Sequence, residues 1–99
     1  MINLVEKRIK NILNDLPSCS GVYQFFNDNS DILYVGKAKN IKKRVAGYFI
    51  KNQTGKTKIL VNKVRDIKII ITESEQDALL LENSLIKKYK PPYNILLKD

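Results

Sequence analysis

Two tripeptides that mirror one another, Gly21-Val22-Tyr23 and Tyr34-Val35-Gly36, stand ten residues apart in a chain with no histidine. Without histidine there is no Ser-His or Cys-His nucleophile pair and no imidazole ligand for a metal. Acid-base work then falls to ten carboxylates, five tyrosines, and lysines whose pKa can be moved. Lys37 follows the second tripeptide directly, and Arg44 comes seven residues later. A guanidinium's planar fork holds a phosphate in two-point contact and stabilises the charge that builds as a fifth ligand joins phosphorus. Tyrosines, a lysine, an arginine and one suitably placed acid are together suited to chemistry at a phosphate group. Taken singly, Tyr23 and Tyr34 fit an ordinary half-buried hairpin equally well, so their setting decides.

Charge supplies part of that setting. The formal net charge is +8, yet residues 1–36 carry three basic and four acidic groups and residues 66–99 carry five and six. Residues 37–65 hold ten lysines and arginines and no acid. Such a run faces a polyanion: neutralised phosphates release counterions and give affinity independent of sequence, so the expected partner is DNA or RNA. From charge alone the alternative is a solvated basic face, or one that meets an acidic protein.

Ninety-nine residues with 43% hydrophobic content predict one domain around one core. The lone Cys19 excludes an internal disulfide and a multi-cysteine zinc site. No run approaches the ~20 apolar residues of a membrane span, and residues 1–8 lack the ordered regions of a signal peptide. The expectation is a cytoplasmic, monomeric domain with no membrane partner.

Periodicity predicts the elements that position the reactive groups. Val5, Ile9, Ile12, Leu13 and Leu16 recur at helical spacing before Pro17. Residues 21–26 and 32–35 are β-prone runs separated by the turn formers Asn27 to Asp31. A four-residue loop, Asn27 to Ser30, would pair Phe26 with Asp31 and set Tyr23 directly opposite Tyr34 on one face; one more loop residue would flip a tyrosine. The shorter loop is the expectation. Asn40 is suited to cap a helix that buries Ile41, Val45, Tyr48 and Phe49. A short helix over Thr57 to Val64 follows, with Leu60, Val61 and Val64 inward, then a strand at 67–72 whose weak alternation predicts burial on both sides. Ser74 caps the last helix, with Glu75 and Asp77 in its first turn and Lys87 and Lys88 in its last, and Lys90-Pro91-Pro92 stops it. The order α-β-β-α-α-β-α predicts an α+β domain with a small, mainly antiparallel three-stranded sheet flanked by helices.

One residue of the last helix breaks its pattern. Ala78, Leu79, Leu81, Leu85, Ile86 and Tyr89 form an apolar arc, and Glu82 falls inside it. An acid there should meet a cation, since a buried unpaired charge costs several kcal/mol. Arg44 in a structural salt bridge and a bound metal are both candidates.

The runs that carry these residues resemble the GIY-YIG nuclease superfamily in its valine-containing form, and within it the amino-terminal nuclease domains of the UvrC family. Leu16-Pro17 precedes the first tripeptide; Leu33 to Ile41 surrounds the second and leads into Lys43-Arg44-Val45; then come Ala78 to Asn83, Leu85 to Tyr89, and Lys90-Pro91-Pro92-Tyr93-Asn94. The likeness spans about Leu16 to Asp99. It implies the GIY-YIG fold and an endonuclease with one divalent metal, Mg²⁺ or Mn²⁺, held directly by Glu82. It also places Tyr23, Tyr34, Lys37, Arg44 and Asn94 in the active site, while the basic run and the helix start make Lys37, Lys39, Asn40, Lys42, Lys43 and Arg44 the expected DNA contacts.

On that basis the metal would stabilise the departing 3′ oxygen and Arg44 the phosphate. Tyr34 would be the general base, its pKa lowered by Lys37 and the metal, and Tyr23 would orient the water or phosphate, the two roles being exchangeable. Asn94 would bond a phosphate or a metal-bound water, or simply serve a turn. The implied reaction is incision on the 3′ side of a lesion in double-stranded DNA during bacterial nucleotide-excision repair. The domain would then belong to a longer chain whose other parts engage a UvrB–DNA complex. The alternatives are a non-catalytic nucleic-acid-binding module, which would not need Glu82 in its apolar arc, and a short or structure-specific nuclease of the same superfamily.

Overall fold

The computed structural model describes residues 4–97. The terminal Lys98 and Asp99, to which the likeness extends, lie outside the described residues. Helix α1 (Leu4–Asp15) is followed by strands β1 (Gly21–Phe26) and β2 (Ile32–Ala38), helices α2 (Ile41–Ile50) and α3 (Gly55–Lys63), strand β3 (Asp66–Ile71), and helices α4 (Glu75–Tyr89) and α5 (Pro92–Leu96). The predicted order holds, with α5 added. Pro92 stands in the first turn of α5, where its missing N–H costs nothing and its fixed φ suits the helix, so the stop signal of α4 also starts α5.

Local chemistry sets the helix ends. The Asn40 side chain accepts from Lys43 N, and Ser74 accepts from Asp77 N, each satisfying one orphan amide. Lys90 adopts a left-handed conformation at φ 47° and its N–H bonds back to Ile86 O, turning the chain toward Pro91.

The sheet is antiparallel with order β2-β1-β3. Its register corrects the expected hairpin: Tyr23 pairs with Gly36, Phe25 with Tyr34, and Phe26 with Ile32, with a register shift between Phe25 and Phe26. Five residues form the loop, because Asn27 Oδ1 accepts from both Asn29 N and Asp31 N at 2.9 Å and closes it one residue later than expected. The bulge at Leu33 adds a second one-residue offset. Two offsets restore the face parity that one would have destroyed, so Tyr23 and Tyr34 share a face as diagonal rather than direct neighbours.

One face of the sheet, carrying Tyr23, Phe25 and Ile67, packs on Ile9 and Leu16 of the α1 region, Ile41, Val45 and Tyr48 of α2, and Leu60 and Val64 at α3. The other face joins Val22 and Val35 to Ala78, with Leu81, Leu85 and Ile86 of α4 packed around them. The sheet order makes β3 an edge strand, and α4 packs mainly on β2 and β1. Ile70 and Ile71 are 38% and 60% exposed, which overturns the expected burial of this strand on both sides.

Candidate active site

Gly21 and Gly36 are glycines for steric reasons. A Cβ on Gly21 would overlap the Ile70 carbonyl and the Ile41 side chain, and one on Gly36 would overlap Cζ and Oη of Tyr23. The glycine of the second tripeptide therefore makes room for the tyrosine of the first. Tyr23, 1% exposed, lies across Gly36, and its hydroxyl is 3.1 Å from that of Tyr48. Tyr34 completes a triangle, its ring centroid 6.2 Å from Tyr23 and 6.3 Å from Tyr48. Arg44 Nη2 donates to the Tyr48 hydroxyl over 3.4 Å, and its guanidinium carbon stands 5.2 Å from that ring's centroid. Tyr48 was read from sequence only as part of a buried helix face. Its position four residues after Arg44, on the same side of α2, is the signal that joins it to the site.

The remaining parts assemble on the free edge of β2. Val35 and Lys37 belong to pairs whose polar groups point away from β1, and side chains take them up. Asn94 Oδ1 accepts from Val35 N at 2.9 Å while its Nδ2 donates to Val35 O at 2.8 Å. Glu82 Oε2 accepts from Lys37 N at 2.8 Å. These bonds give Asn94 and Glu82 backbone partners that the sequence did not predict. Asn94 acts as a two-point clamp on the middle residue of the Tyr-Val-Gly tripeptide, with one hydrogen bond at each of its polar atoms. Glu82 is half-buried and meets a backbone amide; the ion pairs among the described residues, Arg8–Asp66 and Arg65–Asp28, include neither it nor Arg44.

A cleft of about 1410 Å³ opens beside this edge, with Tyr34, Lys37, Lys39, Lys43, Arg44 and Tyr48 among its lining residues. Asn40 also lines it, with its Oδ1 committed to the cap of α2. Four predicted residues lie outside this lining: Glu82 and Asn94, which bond to the backbone of β2 at Lys37 and Val35, and Tyr23 and Lys42. Tyr23 sits beneath the cleft, and Lys42 points away, its Nζ donating to Asn14 O at 3.3 Å and tying α2 to α1. Lys42 is the next residue round the helix from Ile41, which is fully buried, and reaches the α1 side instead of the cleft.

Burial raises both Tyr23 and Tyr34 above the usual tyrosine range, and the neighbouring Tyr48 raises them further. Arg44 opposes this at both residues. The cation that favours a Tyr34 phenolate is thus Arg44, not Lys37 as expected. Proximity to Tyr23, above all, raises the Arg44 guanidinium, keeping it charged.

Residues 19–95 match the family of UvrC-like GIY-YIG domains. The chain belongs to that family. It is 59% identical over 92 residues to UvrABC system protein C of Bacteroides fragilis, covering 92% of this chain and 15% of that protein. With the same protein of Prosthecochloris aestuarii it shares 60% identity over 89 residues, 88% of this chain and 14% of the relative. The chain therefore spans about 15% of the length of these relatives. Its GIY-YIG fold superimposes on the N-terminal endonuclease domain of UvrC from Thermotoga maritima in its magnesium-bound form. The TM-score is 0.78 at 38% identity, over 89% of this chain and 96% of the other. An asparagine-to-alanine mutant of that domain, bound to its catalytic divalent cation, also gives 0.78 at 38% identity, over 89% and 94%.

The donor set here fits such a cation. One hydrogen bond to Glu82 Oε2 leaves most of that carboxylate's acceptor capacity unused. No group of three or more His, Cys, Asp or Glu that could hold a metal occurs among the described residues. A single carboxylate with water completing the shell is a habit of Mg²⁺. No described helix is long and apolar enough to cross a membrane.

Proposed function

We propose that this GIY-YIG domain hydrolyses a DNA phosphodiester with one divalent cation, Mg²⁺ or Mn²⁺, held by Glu82. In this reading it is the nuclease unit of a longer cytoplasmic protein and makes the 3′-side incision in bacterial nucleotide-excision repair. The relatives' length and name support that assignment, and with it a role for UvrB in presenting damaged duplex DNA. The observation that carries the proposal is the bond from Lys37 N to Glu82 Oε2 at 2.8 Å. It fixes the only acid of the apolar arc against Lys37, a residue that lines a cleft rich in cations and tyrosines.

The cation supplies Lewis-acid stabilisation of the departing 3′ oxygen. Arg44, held charged and braced by Tyr48, grips the phosphate and offsets the charge that builds on it as water attacks. Tyr34 lines the cleft and acts as its phenolate, a form that burial opposes and that Arg44 and a bound cation favour; the phenolate receives the water's proton as the new P–O bond forms and the bond to the 3′ oxygen breaks. Tyr23 does not exchange roles with it: its hydroxyl is buried against Tyr48, so it positions Tyr48 and Arg44. Asn94 and the Lys37 amide are positioning groups too, because they hold the strand that carries Tyr34.

The test is strand cleavage of a labelled duplex in Mg²⁺ or Mn²⁺, with binding followed separately. Glu82→Gln should bind and fail to cut, and Tyr34→Phe should cut at least a hundredfold more slowly, the low end of general acid-base effects. A Glu82→Gln variant that cuts as fast as the parent rules out the metal assignment, and a parent that binds without cutting in either metal favours the binding-module reading.

A further inference from the structure

We infer that the cleft grips a polynucleotide backbone beyond the reacting phosphate through Lys51 and Lys56, and that Lys58, Lys63 and Arg65 of the same basic run take no part. The inference rests on the nuclease reading of the cleft and divides the basic segment into residues that face the substrate and residues that do not. Lys51 and Lys56 line the same cleft as Lys37, Lys43 and Arg44. With Lys39 this makes six cations against one lining acid, Glu75. At about 1410 Å³ the cleft exceeds the roughly 300–1,000 Å³ of small-molecule pockets, as a site for more than one nucleotide must.

Arg44 lies in α2 and Lys51 is its extended C-cap residue, seven residues on, roughly 10 Å away along the helix axis at 1.5 Å per residue. Along the axis of a duplex that distance is the rise of about three phosphates of one strand. The connection to α3 is pinned there, since Gln53 Nε2 donates to Gly47 O at 3.0 Å. Lys56 stands in the first turn of α3, which contains no acid. A cation is unfavourable at that end of a helix unless an anion meets it.

The remaining basic residues have other occupations. Lys63 lies over the Tyr93 ring, 5.6 Å from its centroid. Arg65 Nη1 donates to Asn62 O at 2.7 Å and Val64 O at 2.9 Å, with its Nε 3.9 Å from Asp28. Lys58 is exposed and outside the cleft lining.

The experiment compares two double variants of equal net charge, Lys51→Ala with Lys56→Ala and Lys58→Ala with Lys63→Ala. Binding of a short fluorescent duplex is followed by anisotropy in EDTA across a KCl series. Two lost phosphate contacts should lower the slope of log affinity against log salt by about 1.8, which at 0.15 M is roughly a 30-fold loss. The Lys58/Lys63 variant should stay within about twofold of the parent. Equal losses in both variants, or none in the first, overturn the inference. Mg²⁺-dependent cleavage of the same duplex by the parent separates the two levels. If the parent cuts while the variants bind alike, this inference fails alone; if it binds in the expected pattern and never cuts, the nuclease reading fails and the two-lysine grip stands. A parent that does not bind DNA overturns both.

Discussion

Replacing Gly36 by alanine should damage the fold and the site through one contact. The added Cβ would lie well inside 3.0 Å of Tyr23 Cζ and Oη, and Tyr23 is packed against Phe25, Tyr34 and Tyr48 with nowhere to retreat. Overpacking a filled core costs about 1–3 kcal/mol, and displacing the Tyr23 hydroxyl forfeits its bond to Tyr48, about 1 kcal/mol more. The sum, roughly 2–4 kcal/mol, is a large share of the ~5–15 kcal/mol by which a domain is stable. At about 4–8 °C per kcal/mol, Tm should fall by roughly 10–30 °C. Circular dichroism melts measure this directly, and Gly47→Ala is the control. A Cβ on Gly47 meets nothing within 4 Å, so alanine in mid-helix should raise stability by up to about 1 kcal/mol. The double variant Gly36→Ala with Tyr23→Leu isolates the contact: without the ring, the alanine should cost less than roughly 0.5 kcal/mol. A Gly36→Ala protein melting within 2 °C of the parent, or an unchanged penalty beside Leu at position 23, would refute the steric account of the tripeptides.

Other perturbations test the parts separately. Asn94→Ala removes both bonds to Val35, whose side chain is fully buried; the loss should be roughly 2 kcal/mol, about 10 °C in Tm, with reduced cleavage and nearly unchanged DNA affinity. Glu82→Gln keeps an oxygen for the Lys37 amide, so its melt should match the parent within a few degrees while Mg²⁺-dependent cleavage disappears. High pH should destabilise the domain. Tyr23 and Tyr34 titrate higher folded than unfolded, so the folded chain retains protons that the unfolded chain loses above about pH 10. Stability from these groups is complete below pH 10 and declines above it. Melts between pH 8 and 11 should show the decline, and Tyr23→Phe should make it shallower; parallel curves would argue against the tyrosine origin.

What was legible in the sequence was mainly local. Asn40 and Ser74 announced their helices because a cap is a contact three residues long, and Glu82 stood out because helical periodicity exposes a misplaced acid. The likeness to GIY-YIG domains supplied the site residues that no local pattern could. The hairpin register was not legible, since it depends on a loop closed by Asn27 and a bulge at Leu33 that offset each other. The partners of Lys42 and Asn94 were hidden for a different reason. Both contacts span long stretches of chain, to Asn14 and Val35 respectively, and nothing in either neighbourhood predicts them. Burial of β3 was misjudged because a run of isoleucines reads alike on a central strand and on an edge strand, whose end leaves Ile70 and Ile71 exposed on opposite faces.

The site's placement on an edge strand follows from what an edge lacks. Every second residue of β2 offers amide and carbonyl groups that β1 does not use, and an open row of this kind invites pairing with another chain. Here two side chains from later helices intercept it, Asn94 at Val35 and Glu82 at Lys37. Covering the edge with a fourth strand would have satisfied the same groups and closed the cleft. Side chains satisfy them one at a time and leave space between, and that space is where Tyr34 and Arg44 face solvent. Glu82 therefore has two tasks with separable demands: one oxygen finishes the hydrogen bonding of the strand, and the remaining capacity of the carboxylate is available to a cation. A glutamine can perform the first task and lacks the charge for the second, which is why that substitution separates folding from chemistry and alanine at the same position does not.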